Sequence, residues 1–397
     1  MLGVYISVPF CKAKCSYCNF ASGVFGGPGS DRMERYVERV CAEIRSARVR
    51  TTEMRAELPE QVDTVFFGGG TPSLLSAGQM RRLFAALRGE FKVTADAEVT
   101  LECAPGQLGD QTLDELLRLG MNRVSFGVQS FVDAEASAVG RLHTRAMCLA
   151  EIARMRAAGI AEINVDLIAG LPRQTAVSWR ESVDVALGSA VPHVSVYMLE
   201  VDEDSRLGRE LLAHGTRYGV ESVASDDETA ERYAEACAWL ESGGVMQYEI
   251  SNFARKGHAS RHNRKYWRRE PYIGFGLDAH SMLRCDDDAV RWANTDELAR
   301  YEVQDSRFES PEVERIGREQ GFEEAMFLGL RMNEGVDLEE LRSEFGEELI
   351  HGAVAALDDL EEAGLVEREE SRVRLTARGR MVSNEVFSRL LVETPVG

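Results

Sequence analysis

Val4-Tyr5-Ile6-Ser7-Val8-Pro9-Phe10-Cys11-Lys12-Ala13-Lys14-Cys15-Ser16-Tyr17-Cys18-Asn19-Phe20 is the stretch on which the reading of the whole chain turns. An apolar strand runs into Pro9-Phe10, and three cysteines follow at C-x3-C-x2-C spacing. Three thiolates on one short loop can converge on a single metal centre. They cannot all pair as disulfides, because three is odd. Zinc would need a fourth ligand, and none lies nearby in the chain. An iron–sulfur cubane is ordinarily closed by four cysteines, so three would leave one iron open to an outside ligand. A zinc knot and three unrelated thiols are the competing readings.

The spacing resembles the cluster loop of the radical S-adenosylmethionine (SAM) superfamily. The resemblance implies a 4Fe–4S cluster on Cys11, Cys15 and Cys18, with the open iron chelated by the amino and carboxylate groups of SAM. It further implies that an electron from the cluster cleaves a C–S bond of SAM to give a 5′-deoxyadenosyl radical. An electron donor such as flavodoxin or ferredoxin would then be a partner.

The 397 residues leave room for one large α/β domain and a smaller one. A hydrophobic content of 44% is ordinary for a globular chain. No run of 18 or more apolar residues is present, so no transmembrane segment is expected. The first residues read as a strand feeding the cysteine loop rather than as a signal peptide. Eight cysteines without a secretion signal point to a reducing, cytoplasmic setting where thiolates are free to bind metal. Cys41, Cys103, Cys148, Cys237 and Cys285 are scattered and read as small buried side chains. The net charge of −20 repels nucleic acid over most of the surface.

Strand-like segments are expected at Val4–Val8, Asp63–Phe67, Glu98–Leu101, Arg123–Val128, Glu162–Ile168 and His193–Leu199. Amphipathic helices are expected near Met33–Arg48, Ala77–Arg88, Gln111–Leu119, Arg145–Ala158 and Ala176–Leu187. Strand–helix alternation implies a parallel sheet with right-handed crossovers. Six units are too few for a closed eight-stranded barrel and suit an open, partial (β/α)6 barrel. Chemistry in such folds collects at the C-terminal ends of the strands. The second strand ends in Gly68-Gly69-Gly70-Thr71-Pro72-Ser73, where glycines let the backbone approach a ligand closely. Glu102 and Asp166 fall near the mouth ends of strands that should be buried, and such carboxylates are costly unless something pairs with them. Ribose hydroxyls and a sulfonium ligand are suitable partners; salt bridges to Arg123 or Arg141 are the alternative.

Taken together, the cysteine loop, Gly68–Ser73, Gly127-Val128-Gln129-Ser130-Phe131, Gly140-Arg141-Leu142-His143 and Asn164-Val165-Asp166-Leu167-Ile168-Ala169-Gly170-Leu171-Pro172 resemble the oxygen-independent coproporphyrinogen III oxidase family. The resemblance extends over most of the chain. It implies SAM contacts from Tyr5, Tyr17, Gly69, Gly70, Thr71, Glu102, Gln129, Arg141 and Asp166.

Three features point to the heme-chaperone branch of that family rather than to the oxidases. The oxidases carry a further cysteine two residues after the third, where this chain has Phe20. They also have a long extension before the cluster, where only ten residues precede Cys11 here. Third, Tyr248-Glu249-Ile250-Ser251-Asn252-Phe253-Ala254 is followed by His262-Asn263-Arg264-Lys265-Tyr266-Trp267, a stretch whose resemblance implies heme binding through His262, Asn263, Tyr266 and Trp267. His262 offers an imidazole for heme iron, and Tyr266 and Trp267 offer flat faces for a porphyrin. Seven basic residues and no acidic one lie between Arg255 and Arg269, a reversal suited to heme propionates. A hydrogen-bonding loop histidine among core aromatics is the plainer reading. His280, in a Gly-rich segment expected near the barrel mouth, is a second candidate ligand. Ser7 stands where relatives carry histidine and exchanges protons less readily at neutral pH, which fits a chaperone better than an oxidase.

The expected organisation is a barrel over 1–220, an extension carrying the heme stretch over 221–305, and a C-terminal domain over 306–397. In the last, helices are expected at Glu323–Arg331, Leu338–Glu344 and Glu348–Ala363, then a hairpin of Leu365–Glu369 and Arg372–Leu375, then a closing helix Ala377–Leu391. This order resembles a winged helix. From Ser310 to Gly397 there are 10 basic and 21 acidic residues, which opposes phosphate contacts and suggests a cover or docking domain. The function that follows is a heme chaperone with 4Fe–4S cluster, SAM and heme as cofactors and acceptor hemoproteins as partners; a second copy of the chain is left open. The alternatives are a coproporphyrinogen III dehydrogenase and a radical SAM enzyme that degrades or methylates heme.

Overall fold

The computed structural model describes residues 1–24, 31–286, 289–303 and 312–391. β1 (Leu2–Val8) is followed by α1 (Asp31–Glu53), β2 (Gln61–Gly69) by α2 (Ala77–Glu90), and β3 (Lys92–Cys103) by α3 (Asp110–Arg118). β4 (Arg123–Gln129) precedes the short α4 (Asp133–Ala138) and α5 (Arg145–Ala157); β5 (Glu162–Ala169) precedes α6 (Ala176–Gly188); β6 (His193–Met198) completes the series. Every neighbouring pair from β1 to β6 is parallel. The expected six-unit α/β barrel is present, with longer strands except β6, which ends one residue short of the expected Leu199.

Alternation along each strand sorts the side chains. Val4, Ile6 and Val8 of β1, Val65 and Phe67 of β2, and Val124, Phe126 and Val128 of β4 pack outward into one apolar core with the helices. The residues between them face inward and are polar or aromatic, among them Tyr5, Ser7, Thr64, Phe66, Ser125, Asn164, Asp166 and His193. Helix starts are fixed locally: Ser76 with Gln79 opens α2, and Thr175 with Ser178 opens α6, each as a reciprocal capping pair.

The chain then adds α7 (Arg206–Leu212), α8 (Asp226–Ser242), β7 (Met246–Glu249), β8 (Asn252–Ala254), α9 (Arg261–Trp267), β9 (Tyr272–Phe275), β10 (His280–Arg284), β11 (Ala289–Ala293), α10 (Leu298–Val303) and β12 (Val313–Ile316). β8 pairs antiparallel with β6 at one edge, while β9 pairs parallel with β1 at the other. The sheet order is therefore β12-β11-β10-β9-β1-β2-β3-β4-β5-β6-β8-β7. The large sheet runs past residue 305, and the chain on either side of that expected boundary lies partly outside the described residues.

α11 (Arg318–Leu330), β13 (Val336–Asp337), α12 (Leu338–Phe345), α13 (Glu347–Glu362), β14 (Val366–Glu369), β15 (Arg372–Leu375), α14 (Ala377–Met381) and α15 (Ser383–Arg389) form the winged-helix-like α+β unit. It has its own core, centred on Phe322, Met326, Leu357 and Val373. Two details differ from the expectation. The hairpin gains a third strand, β13, too short to show in the sequence pattern. The single closing helix is two, broken at Val382 (φ −120°, ψ 34°), and the break brings Val386 and Leu390 onto the small core.

Candidate cofactor site

The cysteine loop sits at the C-terminal end of β1 and is tied down along its length. Cys11 N–H donates to Gly23 O (2.9 Å) and Gly23 N–H to Pro9 O (2.9 Å). Lys14 Nζ donates back to Phe20 O (2.6 Å) and Ser22 O (2.7 Å). Ser16 N–H donates to Val139 O and Leu207 N–H to Ser16 O, so the loop is stitched to the segments after β4 and β6. Each thiol has a polar neighbour: Thr71 Oγ1 lies 3.7 Å from Cys11 Sγ, Arg141 Nη1 3.4 Å from Cys15 Sγ, and Ser22 Oγ 3.9 Å from Cys18 Sγ. Burial raises the Cys11 thiol, with the Thr71 contact opposing the shift. Among the described residues no three Cys, His, Asp or Glu side chains gather tightly enough to hold one metal ion.

Beneath the loop lies a cavity of about 330 Å³. Of the residues expected to meet SAM, Tyr17, Gly69, Gly70, Thr71, Glu102, Gln129, Arg141 and Asp166 all line it, together with the three cysteines. Tyr5 lines the adjoining cavity instead, which shares Gly69 and Glu102 with the first. The glycines are required by space and by geometry. Gly69 has φ +99°, and a Cβ on Gly70 would stand 2.7 Å from Val8 O and 2.8 Å from Pro9 C. Gln129 is held at φ 69° at a register shift in β4, an uncommon conformation for a side-chain-bearing residue and one that marks functional sites.

Neither Glu102 nor Asp166 forms a direct ion pair with arginine, although the charge of Arg141 acts on Asp166 across the cavity. Arg123 bridges Glu162 (3.3 Å) and Glu98 (3.9 Å), while Arg141 donates to Gly127 O and toward Cys15. Glu102 receives Gly69 N–H (3.1 Å), and Asp166 receives Ser125 Oγ (3.2 Å) and Asn164 Nδ2 (2.7 Å). Burial, reinforced by Asp166, pushes Glu102 up to about 8. Burial also raises Asp166, against its hydrogen bonds and the nearby charge of Arg141. Gln129 Oε1, Arg141 Nε and Thr100 Oγ1 are buried without partners. An acidic cavity with unpaired acceptors and donors fits a cationic ligand that also carries polar groups, as SAM does.

The second cavity, about 360 Å³, lies against β1 and β9 and is walled by Tyr5, Tyr266, Tyr272, Phe20 and His280 among others. The expected heme stretch is divided between locations. α9 closes the floor of the barrel, at the start of the strands. His262 is 1% exposed; its Nδ1 meets Thr64 Oγ1 (2.8 Å), its Nε2 meets Tyr266 Oη (2.8 Å), and its ring stacks on Phe66 at 5.1 Å. Burial, aided by Lys265, pushes its pKa down to about 3. Tyr266 reaches up into the wall of the second cavity. Asn263 lies in the first turn of α9, its N–H bonded to Ser260 Oγ (3.2 Å). Trp267 faces the C-terminal unit, where Arg331 stacks over its ring at 4.3 Å.

The basic run is likewise not an open patch. Arg264 and Arg268 both grip Glu334 (3.3 and 2.6 Å), Arg269 meets Glu324 (3.2 Å), Lys265 meets Asp63 (2.9 Å) and Glu270 (2.8 Å), and Arg261 meets Asp63 (3.5 Å). Glu324 and Glu334 belong to the C-terminal unit, so that unit docks on the floor of the barrel. Sequence reasoning missed Ser125, Tyr197, Met198 and Leu199 in the first cavity wall. The alternation Arg123-Val124-Ser125-Phe126-Gly127 carries the signal for Ser125, since its neighbours are the outward apolar pair. Cys41, Cys103 and Cys148 are buried as expected; Cys237 and Cys285 are half-buried.

A thiol-bearing loop seated on the mouth of six parallel strands, above an acidic cavity, is the architecture of the radical SAM class. A family model described as the Radical SAM superfamily matches residues 5–186, and one described as the HemN C-terminal domain matches residues 318–382. The chain is 33% identical over 396 residues to the heme chaperone HemW of Bacillus subtilis, covering 99% of this chain and 100% of the relative. It is 31% identical to the heme chaperone HemW of Lactococcus lactis, covering 98% and 97%. The chain belongs to the HemW family. Its fold also matches that of Escherichia coli coproporphyrinogen III oxidase HemN, described as a radical SAM enzyme, with a TM-score of 0.81 at 23% identity over 98% of this chain and 90% of that one. No helix among the described residues is long and apolar enough to cross a membrane.

Proposed function

We propose that the protein is a heme chaperone of the radical SAM type, which holds a 4Fe–4S cluster, binds SAM and heme, and delivers heme to acceptor hemoproteins in the cytoplasm. The observation that carries this reading is the end-to-end relationship to the heme chaperone of Bacillus subtilis, with almost none of either chain left over. Cys11, Cys15 and Cys18 would hold the cluster, and Thr71 and Arg141 would donate toward its sulfur ligands, contacts of the kind that tune a cluster. When bound, the cluster supplies one electron, received from a donor such as flavodoxin or ferredoxin.

The chain's own residues orient SAM. The close backbone at Gly69 and Gly70, with Thr71, would receive its amino end. Glu102 and Asp166 would meet ribose hydroxyls and balance its positive charge, Gln129 Oε1 would accept from an N–H, and Tyr5 and Tyr17 would flank it. Of the His262–Trp267 stretch, Tyr266 would touch a porphyrin from the cavity wall, with His262 acting through it.

Oxygen-free reconstitution followed by iron, sulfide and heme quantification tests the cofactors. Transfer of bound heme to an apo-hemoprotein tests the function. Zinc in place of iron, or protoporphyrinogen formed from coproporphyrinogen III with SAM and reductant, would overturn the reading.

A further inference from the structure

The stretch Tyr248–Ala254 lines neither cavity, yet its polar side chains meet those inside the barrel. There, beneath the first cavity, one side chain bonds to the next. Asn164 Nδ2 donates to Asp166 Oδ1 (2.7 Å) and Ser125 Oγ (2.7 Å), and Asn164 Oδ1 lies 2.6 Å from His193 Nδ1. His193 Nε2 lies 2.9 Å from Tyr248 Oη, and that oxygen also receives the Ser260 N–H (3.3 Å). Ser260 is the N-cap of α9 and accepts the Asn263 N–H on its own Oγ (3.2 Å). Asn164, His193 and Ser260 are all buried. The line thus runs from a carboxylate in the first cavity to the helix beneath the barrel.

Every bond in this line has a fixed sense. An ionised Asp166 can only accept, so the Asn164 amide turns its nitrogen to Asp166 and its oxygen to His193. His193 must then carry its proton on Nδ1. Burial, aided by the charge of Arg123, keeps the ring neutral, which leaves Nε2 a bare acceptor. Tyr248 gives its hydroxyl proton to Nε2 and keeps a lone pair for Ser260. The flanking groups brace the centre of the line. Ser195 Oγ accepts from Asn164 Nδ2 (3.1 Å) and donates to Asn252 Oδ1 (2.8 Å), and Asn252 Nδ2 donates to Glu249.

We infer that His193 is a positioning residue with two arms: through Asn164 it sets the Asp166 carboxylate toward SAM, and through Tyr248 it sets the N-terminus of α9. Tyr248, Glu249 and Asn252 then serve to hold this line. The inference rests on the SAM-binding part of the proposed function.

The test uses full-length, cluster-loaded protein without oxygen. Spectra of protein labelled with 15N-histidine should show the His193 ring, identified by its loss in H193N, protonated on Nδ1. SAM affinity is read by calorimetry. In H193Q the amide reaches the place of Nε2, keeping Tyr248 and losing Asn164, so SAM should bind about tenfold more weakly. In H193N the amide sits at the place of Nδ1, and most of that loss should be restored. H193Q should cost nothing further in a D166N background, since its effect passes through that carboxylate. Y248F should leave SAM affinity near wild type and speed amide exchange over 258–267, followed by mass spectrometry. A proton on Nε2 overturns the inference on the wild type alone, whether or not a variant folds. Equal losses in H193Q and H193N, or the same H193Q loss with and without the Asp166 carboxylate, reduce His193 to a structural residue and leave the SAM reading standing. Unchanged exchange in Y248F refutes the arm to α9. If wild type binds no SAM, the SAM reading fails and the arm to Asp166 fails with it.

Discussion

Replacing Glu102 with glutamine should change how SAM binding depends on pH, and the size of the change follows from where the carboxylate sits. Burial, with Asp166 beside it, raises Glu102 from 4.5 to about 8. At pH 7, one unit below that value, roughly nine in ten molecules hold the neutral acid, and ionising it costs about 1.4 kcal/mol. A cation that requires the carboxylate therefore binds about tenfold more weakly at pH 7 than on its high-pH plateau, and gains about tenfold per unit between pH 6 and 7. Binding at pH 7 should also release close to one proton. The amino group of SAM titrates near 8 as an ordinary α-amine, so the ligand's own loss of charge limits the gain above that pH. E102Q should be flat from pH 6 to 7 and release no proton from this site. Calorimetry of oxygen-free, cluster-loaded protein in two buffers of different ionisation enthalpy reads both quantities. Equal wild-type affinities at pH 6 and 7, or the same slope in E102Q, would refute the reasoning. The sign for the unliganded fold is opposite: because the folded value is raised, this group's contribution is complete below 4.5 and is lost as pH rises through 8.

Four further outcomes are expected. In G70A the new methyl would meet the Val8 and Phe10 carbonyls at 2.7 and 2.9 Å, so the cysteine loop must shift; a loss of about 1–3 kcal/mol in a denaturant melt and lower iron retention should follow. H262A should destabilise by about 3 kcal/mol in the same melt, since it opens a void beside Phe66 and strands Thr64 Oγ1 and Tyr266 Oη. Because the His262 pKa falls to about 3, its stabilisation is complete above pH 6.5 and is lost on acidification, with about 2 kcal/mol gone by pH 5; H262Q should flatten that acid limb. E334A removes the shared partner of Arg264 and Arg268, both partly exposed, and should cost about 0.5–1 kcal/mol and speed proteolysis of the C-terminal unit, measured by the rate of band loss on a gel.

Much of the barrel was legible because period-two alternation and glycine punctuation are local signals. Val4-Tyr5-Ile6-Ser7-Val8 shows its inward and outward faces in the sequence itself, and Glu102 and Asp166 could be placed at the mouth from strand length alone. The cavity beneath the cysteines gathers nearly every residue named for it. What could not be read is long-range. That β9 adds beside β1, and so opens a second cavity next to Tyr5, depends on a parallel pairing between residues 3–6 and 272–275. The same holds for the basic run after Arg255. Its charges look free in the sequence because their carboxylate partners, Asp63, Glu324 and Glu334, lie far away along the chain. His262 illustrates this most plainly: its residue type suggests a ligand, whereas its burial depends on α9 turning under the barrel.

Because α9 both floors the barrel and grips the acidic unit, exchanging one half alone for that of a foreign chain would disturb the join. Grafting residues 318–391 onto a foreign barrel would leave Glu324 and Glu334 facing a helix without the matching arginines. Grafting a foreign floor helix beneath this barrel would disturb Tyr266 in the cavity wall as well as the join. A motif recurring among relatives at these positions would then record a shared joint between building blocks, inherited whole, as much as the recognition of any ligand.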